Sequence, residues 1–254
     1  MIIDNTKKPV RISAISYLNT LPFVYGLTHY FDGDSIELQL EVPSVSAQKM
    51  ILKQAEIGLL PVAALPLLSD EYRILDYCIG TRDKVNTVLL LSNVPLQSIK
   101  TISLDYDSRT SVELVKILAR YYWKIQPDYV SLAREESHVQ DISDAAVFIG
   151  DKTFSLKSRF AYIYDLATEW NRFTGLPFVF ACWVAVNSLS EDFISQFSQA
   201  IEFGIAHIRE SIMDKNLPIS ESEAYDYLTR NISFRFDAAK KAAMEKFLSY
   251  LRTG

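Results

Sequence analysis

The fold is decided by VRISAIS at residues 10–16, where apolar and polar side chains alternate as they do along a half-buried β-strand. The pattern returns at residues 36–42 and 56–60, and helix-like stretches separate the three segments. Pro43 and Pro61 stand at the starts of two such stretches, where the first turn of a helix tolerates proline. The β-α-β-α-β order predicts an α/β protein with a mostly parallel sheet.

A second α/β series starts after residue 100 and favours a second lobe. Its predicted elements are strands at residues 101–105, 128–131, 145–150 and 160–164 and a helix at residues 111–122. The chain then continues with an apolar strand at residues 178–186 and amphipathic helices at residues 191–210, 220–230 and 237–252. We therefore expect two lobes with a ligand cleft between them, the second lobe being inserted into the first. The expected boundaries are residues 1–92 and 185–254 for lobe 1 and residues 93–184 for lobe 2, with crossings near Ser92 and near Ala185.

Composition argues against several classes of partner. The 254 residues carry a formal net charge of -5, and no run of Lys or Arg is longer than two residues, which argues against a nucleic-acid ligand. The longest apolar runs, residues 88–91 and 177–186, are shorter than the roughly 20 residues that cross a bilayer, so we expect no membrane segment. The first residues lack an apolar signal core, which predicts a cytoplasmic protein. The oligomeric state is left open.

Residues typical of metal sites and nucleophilic catalysis are sparse. Cys78 and Cys182 lie in apolar, strand-like segments and are interpreted as small buried side chains. His29, His138 and His207 have no Cys, Asp or Glu at ligand spacing, so no metal site is expected. No GxGxxG, Walker, Ser-His-Asp or Cys-His pattern is visible. We expect no cofactor and no covalent nucleophile, so that any chemistry depends on binding and orientation.

The segment SYLNTLP at residues 16–22 directly follows the first predicted strand and is a candidate ligand site. Sheets of α/β proteins bind ligands beyond the carboxyl ends of their strands. Asn19 offers both a hydrogen-bond donor and an acceptor there. Alternatively, Asn19 and Thr20 only cap the helix that follows, and spacing alone favours the cap.

The segment DYDSRTS at residues 105–111 likewise follows a strand and precedes a helix. Hydroxyl groups and free backbone N–H groups at the positive end of a helix suit a carboxylate or a phosphate. Arg109 would add a charge-assisted hydrogen bond. Alternatively, Ser108 or Thr110 is an N-cap and Arg109 is solvated, and the spacing does not separate the two interpretations.

Polar residues also interrupt or end other predicted strands. Asn86 and Thr87 interrupt an apolar strand near the first expected crossing, where their side chains would face the cleft. A position at a strand edge is the alternative. Gly150 and Asp151 end one strand of the second lobe and Asp165 ends the next, so both carboxylates come to the same end of that sheet. Either aspartate alternatively caps a helix.

Five segments are distinctive in combination. They are SYLNTLPF at residues 16–23, IGLLPVA at 57–63, DSRTS at 107–111, FIGD at 148–151 and YDLATEWNRFTGLPFVF at 164–180. Together they resemble the chorismate dehydratases of menaquinone biosynthesis by the futalosine route, in order and over nearly the whole chain. The sequence departs from that family at Thr87, where the family commonly has Ser, and at Ala167, where it more often has Gly.

The resemblance implies a fold and a reaction. The fold would be that of type II periplasmic binding proteins, in which the second of two α/β lobes is inserted into the first. The family uses no cofactor. The reaction would remove the ring C3 proton and the C4 hydroxyl of chorismate, so that the ring becomes aromatic as 3-[(1-carboxyvinyl)oxy]benzoate. Because no protein base is evident, we hypothesise that a carboxylate of the substrate takes the proton.

The resemblance also implies roles for individual residues. Asn19 and Thr87 would be the catalytic groups near the reacting ring. The substrate-binding residues would be Ser16, Tyr17, Ser108, Arg109, Thr110, Ser111, Gly150, Asp151 and Asp165. Two other functions stay open: the related two-lobed naphthoate synthase of the same pathway, and a cytosolic solute-binding or sensor protein of the same fold without catalysis.

Overall fold

The structure consists of two β-sheets flanked by helices. A computed structural model describes residues 8–105, 109–132 and 144–253. Its strands are β1 Val10–Ile15, β2 Ile36–Glu41, β3 Ile57–Pro61, β4 Tyr72–Thr81, β5 Val88–Ser92, β6 Thr101–Leu104, β7 Asp128–Ser131, β8 Ala145–Ile149, β9 Tyr162–Asp165, β10 Phe178–Val186 and β11 Ser233–Arg235. Its α-helices are α1 Leu21–Tyr30, α2 Pro43–Ile51, α3 Arg109–Ile117, α4 Thr153–Leu156, α5 Leu166–Thr174, α6 Glu191–Ala206, α7 Ile208–Ile212, α8 Glu221–Asp226 and α9 Ala238–Thr253.

The first sheet, in the order β11-β4-β10-β3-β1-β2, begins as the sequence predicts. Strand β1 lies between β2 and β3 and is parallel to both, with α1 and α2 as the connections. The other half differs from the prediction, because β10 runs antiparallel to both β3 and β4 and β11 runs antiparallel to β4. The sheet is therefore mixed, since β10 returns from the second sheet and enters between β3 and β4.

The second sheet, in the order β7-β6-β8-β5-β9, is formed entirely by strands from the middle of the chain. The second lobe is thus inserted into the first. The chain leaves the first sheet after Thr81 and enters the second at Val88, and it returns between Asp165 and Phe178. The crossings expected near Ser92 and near Ala185 are each displaced by one strand: β5 belongs to the second sheet and β10 to the first.

The displacement has a physical reason. Every residue of β5 is buried, and so are all residues of β10 except the last. A strand that is buried on both faces reads as a continuous apolar run. Such a run predicts a strand but contains no period that indicates which sheet it joins. The sheet membership is decided by the pairing partners, which lie far away in the sequence.

Two glycines let α1 and α6 pack closely. A Cβ atom on Gly26 would lie 2.0 Å from the carbonyl oxygen of Ala200, and one on Gly204 would lie 1.8 Å from the carbonyl oxygen of Pro22. No side chain fits at these separations, so the helix contact requires glycine at both positions. Because α1 directly follows the candidate segment at residues 16–22, the contact also holds that segment in place.

The C-terminal helices contact both lobes. Phe247 of α9 packs against Phe178 of β10, with ring centroids 5.3 Å apart, and against Trp170 of α5 at 6.2 Å. Tyr250 of α9 lies 4.9 Å from Tyr121, which follows α3. Helix α9 therefore packs against both lobes. None of the described helices is both long enough and apolar enough to span a membrane.

Candidate active site

A cleft between the two sheets is the candidate site. Its cavity volume is about 50 Å³, and the cleft is partly open to solvent. The apolar residues that line it are Ile15, Pro43, Pro61, Ile79, Val85, Val88, Ile149, Phe180 and Ala181. The remaining lining residues are Tyr17, Asn19, Thr87, Ser111 and Gly150. An apolar cleft with a few polar groups is typical of small-molecule sites.

The turn after β1 places Asn19 in this cleft. A short 3₁₀ turn leads from β1 into α1, and the hydroxyl group of its Thr20 contacts the carbonyl oxygens of Ile15 and Tyr17. Thr20 stands at the N-cap position of α1, but its side chain makes no capping hydrogen bond. The amide of Asn19 instead donates from Nδ2 to the hydroxyl oxygen of Tyr227 at 3.4 Å. The capping alternative is therefore wrong for α1: neither side chain caps the helix, and Thr20 instead closes the turn before it.

Thr87 lies in the segment that enters the second lobe, directly before β5. Its side chain is only 1% exposed, and its Oγ1 lies 2.8 Å from the Tyr227 hydroxyl oxygen. Tyr227 is 4% exposed and follows α8 in the C-terminal part of the chain. Burial raises the pKa of the Tyr227 phenol, which therefore stays protonated. One buried hydroxyl group thus connects the side chains of Asn19 and Thr87.

Sequence reasoning did not single out Tyr227. The residue lies in a stretch whose pattern predicts an amphipathic helix, and an aromatic residue on the apolar face of such a helix usually packs in the core. Its sequence neighbours contain no motif that marks a site. Only the tertiary structure, which brings the residue to Asn19 and Thr87, reveals the contact.

The start of α3 contacts the first lobe. Thr110 accepts a hydrogen bond from the backbone N–H of Ala63 at 3.1 Å, and its hydroxyl donates to the carbonyl oxygen of Phe180 at 3.1 Å. Both partners belong to the first lobe, so Thr110 joins the lobes rather than facing the cleft. The next residue, Ser111, is 1% exposed and lines the cleft.

The turn after β8 approaches the first lobe from the other side. Gly150 has a φ of +69°, and a Cβ atom there would lie 2.7 Å from the ring of Tyr17. The N–H of Gly150 donates to the carbonyl oxygen of Thr87 at 2.9 Å. The carboxylate of Asp151 accepts the N–H of Leu18 at 3.1 and 3.2 Å. Burial raises the pKa of Asp151, and the Leu18 hydrogen bond opposes the rise.

Asp165 caps α5 and also holds the crossing segment. Its carboxylate accepts backbone N–H groups from Ala167 and Thr168 at the start of the helix, at 3.1 and 3.2 Å. It also accepts the N–H groups of Val85, at 3.1 Å, and Asn86, at 2.7 Å. Because four backbone N–H groups donate to this carboxylate, Asp165 is a helix cap, as the alternative interpretation predicts. It does not line the cleft.

Two further predicted site residues, Ser16 and Arg109, do not line the cleft in the described part of the chain. Ser16 is exposed, and its backbone N–H donates to the carbonyl oxygen of Glu41 at 2.8 Å. Arg109 is exposed at the first position of α3, as its solvated alternative predicts. Ser108 lies outside the described residues. The cleft therefore brings together Tyr17, Asn19, Thr87, Ser111 and Gly150.

Two α/β lobes around an apolar cleft define a protein of the periplasmic-binding-protein-like fold. The Candida albicans CA3427 gene product exhibits the generic periplasmic binding protein fold, and it is similar to this chain with a TM-score of 0.69 at 12% identity. The similarity covers 98% of this chain and 91% of that one. The fold class that the sequence predicts is confirmed.

The sequence pattern of the menaquinone biosynthesis family matches residues 10–253, and the chain belongs to this family. The chorismate dehydratase of Campylobacter jejuni subsp. jejuni serotype O:23/36 (strain 81-176) is 24% identical over 243 residues, which cover 92% of this chain and 94% of that protein. The chorismate dehydratase of Thermus thermophilus is 27% identical over 220 residues, covering 74% of this chain and 80% of that protein. The family resemblance read from the sequence is confirmed.

Proposed function

We propose that this protein is a chorismate dehydratase, a hydro-lyase that converts chorismate into 3-[(1-carboxyvinyl)oxy]benzoate and water. Membership of the menaquinone biosynthesis family and the two similar chorismate dehydratases support this function. The observation that carries the proposal is the cleft itself, where Asn19 and Thr87 meet among apolar walls and Ser111 adds a further polar group. A cytoplasmic location is part of the same proposal, and cell fractionation tests it.

The reaction breaks the C3–H and C4–O bonds of the ring and forms a C3–C4 double bond, which completes the aromatic ring. The departing C4 hydroxyl gains negative charge, and the proton removed from C3 converts it into water. The hydroxyl group of Thr87 would donate a hydrogen bond to this oxygen, and the amide of Asn19, which lines the same cleft, would hold the C4 substituent. Oriented polar groups in an apolar, water-poor cleft stabilise developing charge effectively. Their fixed positions also reduce the entropy cost of reaching the reactive geometry.

The proton at C3 requires a base. Among the described residues, no Asp, Glu, His or Lys lines the cleft. The carboxylate of Asp165 is occupied by four backbone N–H groups, and Asp151 lies outside the cleft lining, where it binds Leu18. These observations support the hypothesis that a carboxylate of chorismate itself takes the proton. Asp151→Asn keeps an oxygen that accepts the Leu18 N–H, so the expected kcat is within about threefold of the wild type, and a loss of kcat with intact binding would overturn the substrate-base hypothesis.

The substrate has two carboxylates, and the start of α3 suits one of them. Ser111 lines the cleft within the first turn of this helix, where the helix dipole attracts negative charge. Asn19 and Thr87 line the same cleft from other segments of the chain. A dicarboxylate anchored at α3 would therefore have its ring beside these two residues.

The experiment mixes purified protein with chorismate and follows the ultraviolet spectrum and the chromatographic profile. We expect chorismate to disappear and a benzoate product of lower mass by one water to form. Thr87→Val should lower kcat by about 100-fold, because it removes one donor to developing charge, whereas Thr87→Ser should stay near the wild type. Thr229→Val is the matched control, since its hydroxyl group is exposed and bonds only within its own helix. Unchanged chorismate at saturating protein would overturn the proposal, and binding without turnover would favour a solute-binding or sensor protein.

A further inference from the structure

The hydroxyl group of Tyr227 contacts two polar side chains of the cleft from behind. Its hydroxyl oxygen lies 2.8 Å from Oγ1 of Thr87, which leads into the second lobe, and 3.4 Å from Nδ2 of Asn19 in the first lobe. Tyr227 itself comes from the C-terminal part of the chain, 208 residues after Asn19. It does not line the cleft. Its ring packs against Phe154 in a T-shaped contact, with centroids 5.4 Å apart and an interplanar angle of 89°.

The hydrogen bonds can be assigned a direction by counting protons. The Asn19 amide nitrogen is a donor, so the Tyr227 oxygen accepts from it. The Tyr227 proton then needs an acceptor of its own, because an unpaired buried donor costs free energy. Within the described part of the chain, Thr87 Oγ1 is the acceptor in reach of this proton. Tyr227 therefore donates to Thr87.

This direction determines what the cleft presents to a ligand. Because Thr87 Oγ1 accepts from Tyr227, its own hydrogen points away from Tyr227 and is available as a donor. Because the Nδ2 side of Asn19 is turned towards Tyr227, its carbonyl oxygen is turned the other way and is available as an acceptor. Burial raises the pKa of Tyr227, which keeps the phenol proton in place and the arrangement intact.

We propose that Tyr227 is a positioning residue that orients Thr87 as the hydrogen-bond donor and Asn19 as the hydrogen-bond acceptor towards the reacting C4 hydroxyl group. The inference rests on the proposed dehydratase function. A C4 hydroxyl held in this way donates a hydrogen bond to the Asn19 carbonyl oxygen and accepts one from Thr87, so its C–O bond is aligned before it breaks. Tyr227 touches neither substrate nor product and acts only through the other two side chains.

The first test compares Tyr227→Phe with Tyr72→Phe. Both substitutions remove one hydroxyl group, and the Tyr72 hydroxyl donates to the carbonyl oxygen of Met50 at the far end of the ten-residue strand β4. We expect Tyr227→Phe to lower kcat at least about tenfold with KM changed less than about threefold, and Tyr72→Phe to leave both unchanged. Melting temperatures of the two variants show that both fold. A kcat of Tyr227→Phe equal to that of the wild type would overturn the inference.

The second test asks whether Tyr227 acts through Thr87 and Asn19. Tyr227→Phe is combined with Thr87→Val and, separately, with Asn19→Ala. We expect the loss of kcat caused by Tyr227→Phe to shrink to about threefold or less in either background, because part of the hydrogen-bond chain is already missing. An unchanged factor in both backgrounds would mean that Tyr227 acts by another route and would overturn the inference.

A third measurement does not depend on turnover. The buried hydroxyl proton of Tyr227 should give a slowly exchanging NMR signal, assigned by its loss in Tyr227→Phe. This signal should shift in Thr87→Val, because its acceptor is removed, and an unshifted signal would overturn the hydrogen-bond direction. If the wild type fails to convert chorismate, the proposed function fails, while the NMR result still decides whether Tyr227 donates to Thr87.

Discussion

The carboxylate of Asp151 accepts the backbone N–H of Leu18, a residue 133 positions earlier in the chain, with both carboxylate oxygens within 3.2 Å. Asp151 follows β8 of the second lobe, and Leu18 lies in the turn of the first lobe that carries Asn19. The bond therefore holds the polar turn of one lobe against the other lobe. It gives Asp151 a role in the geometry of the cleft without contact with the cleft space.

Asp151→Asn should change how stability depends on pH. Burial raises the pKa of the Asp151 carboxyl group in the native protein above its ordinary value. The native state therefore keeps this proton to a higher pH than the unfolded chain, and the free energy of unfolding falls as the pH rises from about 4 through the native pKa. Asparagine has no such proton to lose. In urea unfolding between about pH 4 and pH 7, the free energy of unfolding of the variant should rise relative to that of the wild type as the pH increases. A difference that is constant with pH would contradict the prediction.

Gly150→Ala should lower both stability and activity, whereas Gly175→Ala should lower stability alone. Both glycines have a φ near +70°, so alanine at either position costs roughly 1–2 kcal/mol of backbone strain. Only at Gly150 would the new Cβ atom collide with the ring of Tyr17, since nothing lies within 4 Å of the corresponding atom at Gly175. Thermal melts and chorismate turnover of the two variants provide the comparison. Equal activity losses would show that the Tyr17 contact does not matter.

Thr110→Val should loosen the contact between the lobes. Valine keeps the shape but leaves the N–H of Ala63 and the carbonyl oxygen of Phe180 without their partner, at a cost of about 1–3 kcal/mol in stability. We also expect KM for chorismate to rise several-fold, because lobe closure around the substrate loses two hydrogen bonds. Thr110→Ser retains the hydroxyl group and should restore most of both quantities. Denaturant unfolding and steady-state kinetics measure them, and a serine variant as impaired as the valine variant would refute the assignment.

Asp165→Ala should be strongly destabilising and should also reduce activity. The change removes the N-cap of α5 and leaves the N–H groups of Val85 and Asn86 unpaired, which together should cost at least about 2 kcal/mol. The segment before Thr87 then loses its anchor, so Thr87 is expected to shift in the cleft. Ser190→Ala removes the cap of α6 and is the matched control for the capping effect alone. If both variants lose the same stability and neither loses activity, Asp165 is merely a helix cap.

Local patterns in the sequence predicted the parts of the fold that depend on local physics. The alternation at residues 10–16, Pro43 as the first residue of α2 and the C-terminal helices correspond to observed elements, whereas Pro61 ends β3 and a 3₁₀ helix follows it. The position of the lobe crossings depended on which strands pair, and a uniformly apolar strand such as β10 does not contain that information. The mixed direction of the first sheet was missed for the same reason.

In the candidate site, too, local patterns indicate some residues, and only contacts between distant parts of the chain identify the others. Asn19 and Thr87 were selected because polar residues follow or interrupt apolar strands, a signal that is present in the sequence itself. Tyr227 and Thr110 act through contacts with residues far away in the chain, and no local pattern separates them from a core aromatic residue or an N-cap. Residues 16–22 contain both a local and a long-range contact, since Thr20 closes the turn while Asn19 donates to Tyr227.

The two glycines between α1 and α6 have a consequence for protein engineering. Gly26 and Gly204 permit a helix separation that no other residue allows, and α1 begins directly after the turn that holds Asn19. A substitution at Gly204 must push α1 away from α6, and with it the segment in front of α1. Reaction rates can therefore be altered from this helix contact while every side chain that lines the cleft keeps its identity.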